Sequence, residues 1–187
     1  MSRLRGLLES GFTLVELLIY SLLTVLVLAI VGGILISGMT AERLVRGVTE
    51  ATSLGQIAAN SVEQGVRNAA GFQLSAPNED DQLLLARSAG SGSVITWTCE
   101  AWYYSGIERT IRTFSSPSKI DIPNSNQLKT WRLLADGVSP YEGEQIFTNL
   151  GKRLALQFRV DAGDHSPVKI ESSVLSRAGA LETAPCF

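Results

Sequence analysis

The sequence has little of what most catalytic and metal sites are made from. Among its 187 residues there is one histidine, His165, and there are two cysteines, Cys99 and Cys186. A Ser/His/Asp triad would have to use His165, and no Gly-x-Ser-x-Gly element accompanies any serine. There is no Cys/His spacing suited to zinc, no phosphate loop and no pair of carboxylates placed for acid–base work. No cofactor is expected, and the chain does not read as an enzyme. A dominant charge is lacking as well: 16 basic and 18 acidic residues give −2, which offers no broad attraction to nucleic acid or anionic lipid. No internal repeat is evident.

What the chain does have is a long stretch without charge. No Asp, Glu, Lys or Arg occurs between Glu16 and Glu42, and most of these residues are aliphatic. As a helix, about 25 residues span about 38 Å, more than a hydrocarbon core of about 30 Å. Mean hydropathy over the whole chain is +0.16, and the apolar excess lies in the first forty residues. Arg3 and Arg5 precede the run, and Arg43 and Arg46 follow it with Glu42 between them. The positive-inside rule therefore favours a cytoplasmic N-terminus only weakly, and a large Cys-containing domain after the helix is the stronger argument for that orientation. An ordinary secretory signal has a shorter apolar core, of about 7–15 residues. No cysteine lies near a cleavage point, so a lipoprotein signal is absent. A plain signal anchor fits the length but leaves Glu16 unexplained, because an ionisable side chain within a membrane-length segment is costly and by default marks function.

The segment Gly11-Phe12-Thr13-Leu14-Val15-Glu16 resembles the class III signal of type IV pilins, with Gly at −1, Phe at +1 and Glu at +5 of the processing site. The resemblance implies that a prepilin peptidase cuts between Gly11 and Phe12 and N-methylates Phe12. It further implies that an inner-membrane assembly platform draws the subunit into a helical filament with other pilin or pseudopilin subunits. Cleavage would create an α-amino group four residues from Glu16. A charge pair between the two, within one subunit or between neighbours, would offset the cost of the carboxylate and set axial register. The bland alternative is a glutamate tolerated near the cytoplasmic interface. One departure from the family is Gly33, with Gly32 before it, where many major pilins carry proline. Each glycine weakens a helix by about 1 kcal/mol relative to alanine without forcing a kink.

Past Met39 there is no clear helix stop. Leu44, Val48, Ala51, Gly55, Ala58, Val62, Val66 and Ala69 recur at spacings of three or four and predict one amphipathic face. We read a single helix from about residue 12 to 70, ended by Gly71, whose small residues let a sheet pack closely. Beyond Pro77 the pattern becomes that of strands. Leu154, Leu156, Phe158 and Val160 alternate with polar residues, and Val168, Ile170, Ser172 and Val174 do so after the turn at 161–164. Ile95, Trp97, Cys99, Ala101 and Tyr103 share a face of another strand, Ser105-Gly106 turns into a further strand over 108–114, and residues 115–127 read as a surface loop. The expected fold class is α+β and type IV pilin-like: a long N-terminal transmembrane and amphipathic helix on an antiparallel β-sheet. Its expected organisation is a cleaved leader (1–11), a transmembrane and filament-core segment (12–40), an amphipathic continuation (41–72) and an extracytoplasmic β-rich domain (73–187). In the order of its elements the C-terminal half resembles J-type minor pseudopilins and W-type minor pilins, which implies a minor subunit, at a filament tip in a priming complex.

Cys99 and Cys186 are permitted to bridge by an extracytoplasmic location, and pilins commonly tie down the C-terminal region in this way; a buried Cys99 thiol on an apolar strand is the alternative. Asn78-Glu79-Asp80-Asp81 and Asp161-Ala162-Gly163-Asp164-His165 cluster oxygen ligands of the kind some pseudopilins use for calcium. Neither has EF-hand spacing, and both read first as turns; no metal site is assigned. Arg109, Arg112, Trp131 and Arg132 would suit DNA in a competence-pilus tip subunit, but arginines at alternating strand positions read first as an exposed face, and no nucleic-acid partner is expected. The expected partners are the peptidase, other filament subunits, the assembly platform and membrane lipid. The expected location is the inner membrane, then a surface pilus or periplasmic pseudopilus. A membrane-anchored binding module that never polymerises is the competing function.

Overall fold

The computed structural model describes residues 13–90, 96–177 and 186. Gly11, Phe12 and Ile95 lie outside them. The chain forms two compact units that divide between Val45 and Arg46.

Helix α1 (Leu14–Asn68) begins in the first unit. Thr13 starts it: its hydroxyl accepts from the Glu16 backbone N–H at 3.2 Å, satisfying one of the orphan donors of a helix N-terminus. Three hydroxyls within the apolar stretch are satisfied by the helix's own backbone. Ser21 donates to the Leu18 carbonyl, Thr24 to Tyr20 and Thr40 to Ile36, the back-bonding that lets a hydroxyl sit among apolar neighbours. The helix is unbroken through Gly32 and Gly33. From Leu14 to Met39 no large apolar side chain is less than 51% exposed. Such a continuous apolar surface is far larger than a water-soluble monomer leaves bare, and the helix is long and apolar enough to cross a membrane.

Among the described residues, the second unit combines the rest of α1 with nine strands. β1 (Ala69–Ser75), β2 (Gln82–Ala89), β3 (Trp97–Ser105), β4 (Thr110–Ser116) and β5 (Arg132–Ala135) form an antiparallel sheet in that order. The short α2 (Ser125–Leu128) lies between β4 and β5 and carries a capping box of Asn124 and Gln127. A second antiparallel sheet contains β6 (Val138–Pro140), β7 (Phe147–Leu150), β8 (Arg153–Ala162) and β9 (His165–Leu175). β9 pairs along almost all of β8, so β6 and β7 share its other edge end to end.

The helix buries the face expected from its periodicity: Ala51, Gly55, Ala58, Val62 and Val66, together with Ala59. Leu44 stays 43% exposed, so this face starts about one turn later than its spacing suggests. Both sheets contribute to a single core with it, through Phe72, Leu84, Trp102 and Ile111 from the first and Leu154, Leu156, Phe158 and Val160 from the second. The glycines are where the elements come closest. A Cβ on Gly65 would lie 2.5 Å from Trp102 Cζ2, and one on Gly55 would lie 2.5 Å from Ile170 Cγ1. Trp102 also donates from Nε1 to Ser61 Oγ at 3.0 Å.

The structure corrects the sequence reading in three places. The helix stops at Asn68, and Gly71 sits inside β1 rather than acting as a stop. Phe72 is fully buried and pairs with Ala86, and burying a phenylalanine is worth about 1.5–3 kcal/mol, more than the helical propensity of two alanines. There are two sheets rather than one. Finally, residues 115–127 are more than a surface loop: they hold the end of β4 and the start of α2. Ile120, with Leu128 and Trp131 just beyond, joins a second cluster with Leu83, Leu85, Cys186 and the shared Cys99, Ala101 and Tyr103 face of β3, whose other face sends Trp102 and Tyr104 into the helix core. The 117–131 segment thus roofs the far face of the first sheet.

Gln82 couples the two sheets. Its buried amide donates to the Phe147 carbonyl at 3.1 Å and accepts from the Phe147 N–H at 3.0 Å, imitating a strand pair between β2 and β7. Gln82→Leu is expected to lower stability by about 3 kcal/mol, since it leaves two buried backbone groups unpaired. Urea denaturation of the full chain in detergent, followed by tryptophan fluorescence, checks this; an unchanged midpoint would contradict it.

Candidate functional site

The first candidate is Glu16, in the opening turn of α1. An acidic side chain is favourable at this end of a helix dipole, and Thr13-Leu14-Val15-Glu16 has the order of a capping box. Local helix chemistry therefore accounts for part of what Glu16 does. It does not account for the carboxylate, which has no hydrogen-bond or ion-pair partner among the described residues. Its expected counter-charge, the Phe12 amine, falls outside those residues, as does the Gly11–Phe12 bond.

The second candidate, the cysteine pair, is a disulfide. Cys99 and Cys186 are bonded across 87 residues, with Cα atoms 5.5 Å apart, and both are buried in the cluster on the far face of the first sheet. The alternative of a free buried Cys99 thiol is thereby removed. The bridge fixes position 186 against Cys99, the third residue of β3.

The oxygen-rich segments act as turns. Asn78 Oδ1 accepts from the N–H groups of Asp80 and Asp81 at 3.1 and 2.8 Å. The Asp81 carboxylate, itself buried, accepts from Asn78 Nδ2 and the Tyr103 hydroxyl, both at 2.7 Å, and from the Gly106 N–H at 2.9 Å. This saturated carboxylate pins the β3–β4 hairpin to the β1–β2 connection. Burial raises the Tyr103 hydroxyl pKa, and its hydrogen bond to the Asp81 side chain raises it further, so the tyrosine stays a donor. Asp161 Oδ1 likewise accepts from the Gly163 N–H, with Gly163 at φ +70° in the turn before His165.

The four residues considered for DNA do not form one exposed face. Trp131 is buried, with Phe114 stacked on it at 5.3 Å between ring centroids. The Arg112 side chain is only 16% exposed, donates to the Trp131 carbonyl and lies 3.7 Å from Glu108. Arg109 faces Asp161 at 3.9 Å, and Arg132 is exposed. For Arg112 this also corrects the expectation of an exposed strand position: the β4–β5 edge folds α2 and its flanking loop over it.

Glu100 was not singled out from sequence, because nothing local marks it. It lies under the helix beside Gly65, whose added Cβ would stand 2.8 Å from Glu100 Oε2. Burial raises its pKa above the ordinary 4.5. The folded state therefore holds this proton more tightly than the unfolded state. The associated stability is complete below about pH 4.5 and is lost as pH rises through the higher folded-state value. Glu100→Gln is expected to remove that part of the pH dependence and to raise the urea midpoint at pH 7 but not at pH 4. An equal shift at both values would show that the effect is packing and not charge.

The chain matches none of the family models, curated proteins or solved structures with which it was compared.

Proposed function

We propose that this chain is a non-enzymatic structural subunit of a type IV filament, a minor pilin or type II secretion pseudopilin. In this reading prepilin peptidase cuts between Gly11 and Phe12, the new Phe12 amine is methylated, and the assembly platform inserts the subunit into the filament. Residues 12–40 hold it in the inner membrane and then form the filament core, while the β-rich domain stands outside the cytoplasm. Placement at a filament tip, in a priming complex of J or W type, belongs to the same proposal.

One observation carries it: a carboxylate without a described partner opens an apolar helix that continues unbroken into the core of a sheet domain. A plain membrane anchor has no use for that charge. The exposed half of the helix, apolar on every side, suits lipid as a plain anchor would, and in this reading suits neighbouring helices once the subunit is in the filament. The disulfide supports an extracytoplasmic domain, because such bonds persist in oxidising compartments.

Mass spectrometry of the membrane-extracted protein, expressed with a prepilin peptidase, tests the reading. A mature chain starting at N-methylated Phe12 is expected. A chain that retains Met1 would leave the non-polymerising anchor as the function.

A further inference from the structure

The exposed apolar side chain that stands out in the second unit is Ile107, at the tip of the β3–β4 hairpin. It is 85% exposed, more than any aliphatic side chain of the membrane-length segment. The tip is held rigidly. The Gly106 N–H donates to buried Asp81, the Glu108 N–H donates to Ser105 Oγ at 3.3 Å, and the Arg109 carbonyl accepts from the Val138 N–H at 2.8 Å. A rigid apolar knob loses little freedom when it is covered, as the anchors of protein interfaces do.

Two clefts flank this knob, of about 520 and 440 Å³, and both are lined by Ile107 and Asp81. Glu79, Asp80 and Glu144 line the first beside Pro140 and Ile146; Glu108 lines the second beside Ile122 and Leu128. No lysine or arginine lines either cleft among the described residues, and Arg109 is turned toward Asp161. This charge pattern selects among occupants. Anionic lipid headgroups are repelled by it. A second copy meeting tip to tip would set like charges against each other.

We propose that the Ile107 hairpin tip and its two acidic clefts are a docking surface for a different subunit of the same filament, one that presents an apolar socket ringed by lysine or arginine. The inference rests on the filament reading and adds the surface and the chemistry of the partner. Ile107 enters the socket, and the carboxylates of Glu79, Asp80 and Glu144 meet its basic rim, while Glu108 already faces Arg112 at 3.7 Å.

The test places a photoreactive benzophenone at the tip, as Ile107→benzoylphenylalanine, in the full-length chain expressed with its assembly system; Leu150→benzoylphenylalanine, at an exposed site on β7, is the control. Irradiation is expected to give a position-107 adduct with another pilin-like subunit, mapped to a peptide containing lysine or arginine. Glu79→Lys with Glu144→Lys should reduce that adduct at least tenfold, and raising NaCl from about 0.1 to 0.5 M should weaken it without any change to the fold. An adduct with lipid, with a second copy or with a protein outside the filament would overturn the proposal. So would an adduct that is insensitive to both charge and salt, or one equally strong from position 150. The N-terminus of the same sample separates the two levels of the argument. A processed Phe12 start with no adduct overturns the docking surface alone, whereas a retained Met1 overturns the filament reading and with it the partner named here.

Discussion

Glu16→Ala is expected to leave cleavage after Gly11 largely intact while lowering incorporation into filaments at least tenfold. The cleavage site lies on the other side of Phe12, and alanine, the strongest helix former, offsets much of the lost first-turn carboxylate, so processing and helix α1 should both be largely kept. What is lost is the charge. A carboxylate near the membrane centre costs about 2.5–3.5 kcal/mol on insertion scales, and less toward an interface. A pairing that recovers even about 1.4 kcal/mol of this at each contact corresponds to a tenfold change in association. Glu16→Gln keeps the shape and the helix start but not the charge, and it should fail in the same way. Counting mature subunits in sheared filaments against those left in the membrane measures both variants. Normal incorporation of the glutamine variant would show that Glu16 serves only as a residue of the first helical turn.

Removing the disulfide has the largest expected effect on the fold. In the chain-entropy model, a bridge closing a loop as long as the 87 residues between Cys99 and Cys186 stabilises by about 4–5 kcal/mol. Cys99→Ser also places a hydroxyl in the apolar cluster formed with Leu83, Leu85 and Trp131. Cys186→Ser should have the smaller effect, because the released C-terminal end can take its hydroxyl into water. The expected result is a large fall in the urea midpoint for both variants, and rapid trypsin cleavage at Arg177 in the second. A midpoint for Cys186→Ser close to that of the unaltered chain would mean that the bridge only tethers the tail and does not support the β3 face.

The two effects belong to different levels of organisation, and they were legible to different degrees. Glu16 could be found by reading along the chain, because one charge beside about 25 uncharged residues is a local contrast. The buried face of the helix was legible for the same reason, from Ala51, Gly55, Ala58, Val62 and Val66 at helical spacing. Strand β8 showed itself through alternation. By contrast, β1 was hidden: Ala69-Ala70-Gly71 continues a helical pattern, and only the site waiting for Phe72 between the helix and β2 turns it into a strand. β3 was half legible, since burial on both faces erases the alternation that marks a half-exposed strand.

Asp81, Gln82 and Glu100 show where such reading ends. All three are ordinary polar residues in sequence, yet one pins a hairpin, one joins two sheets and one sets a half-buried carboxyl beneath a helix glycine. Each role depends on a partner far along the chain, such as Tyr103 for Asp81 or Phe147 for Gln82. Sequence by itself determined the membrane-length helix, its lone carboxylate, the helical face and the outward alternation of β8, because periodicity and charge contrast are properties of neighbouring residues. Tertiary structure alone decided where the helix ends, how the strands divide into two sheets, that Cys99 meets Cys186 and that Ile107 stands bare between acidic clefts. Those outcomes follow from competition for burial among distant segments, which no local pattern records.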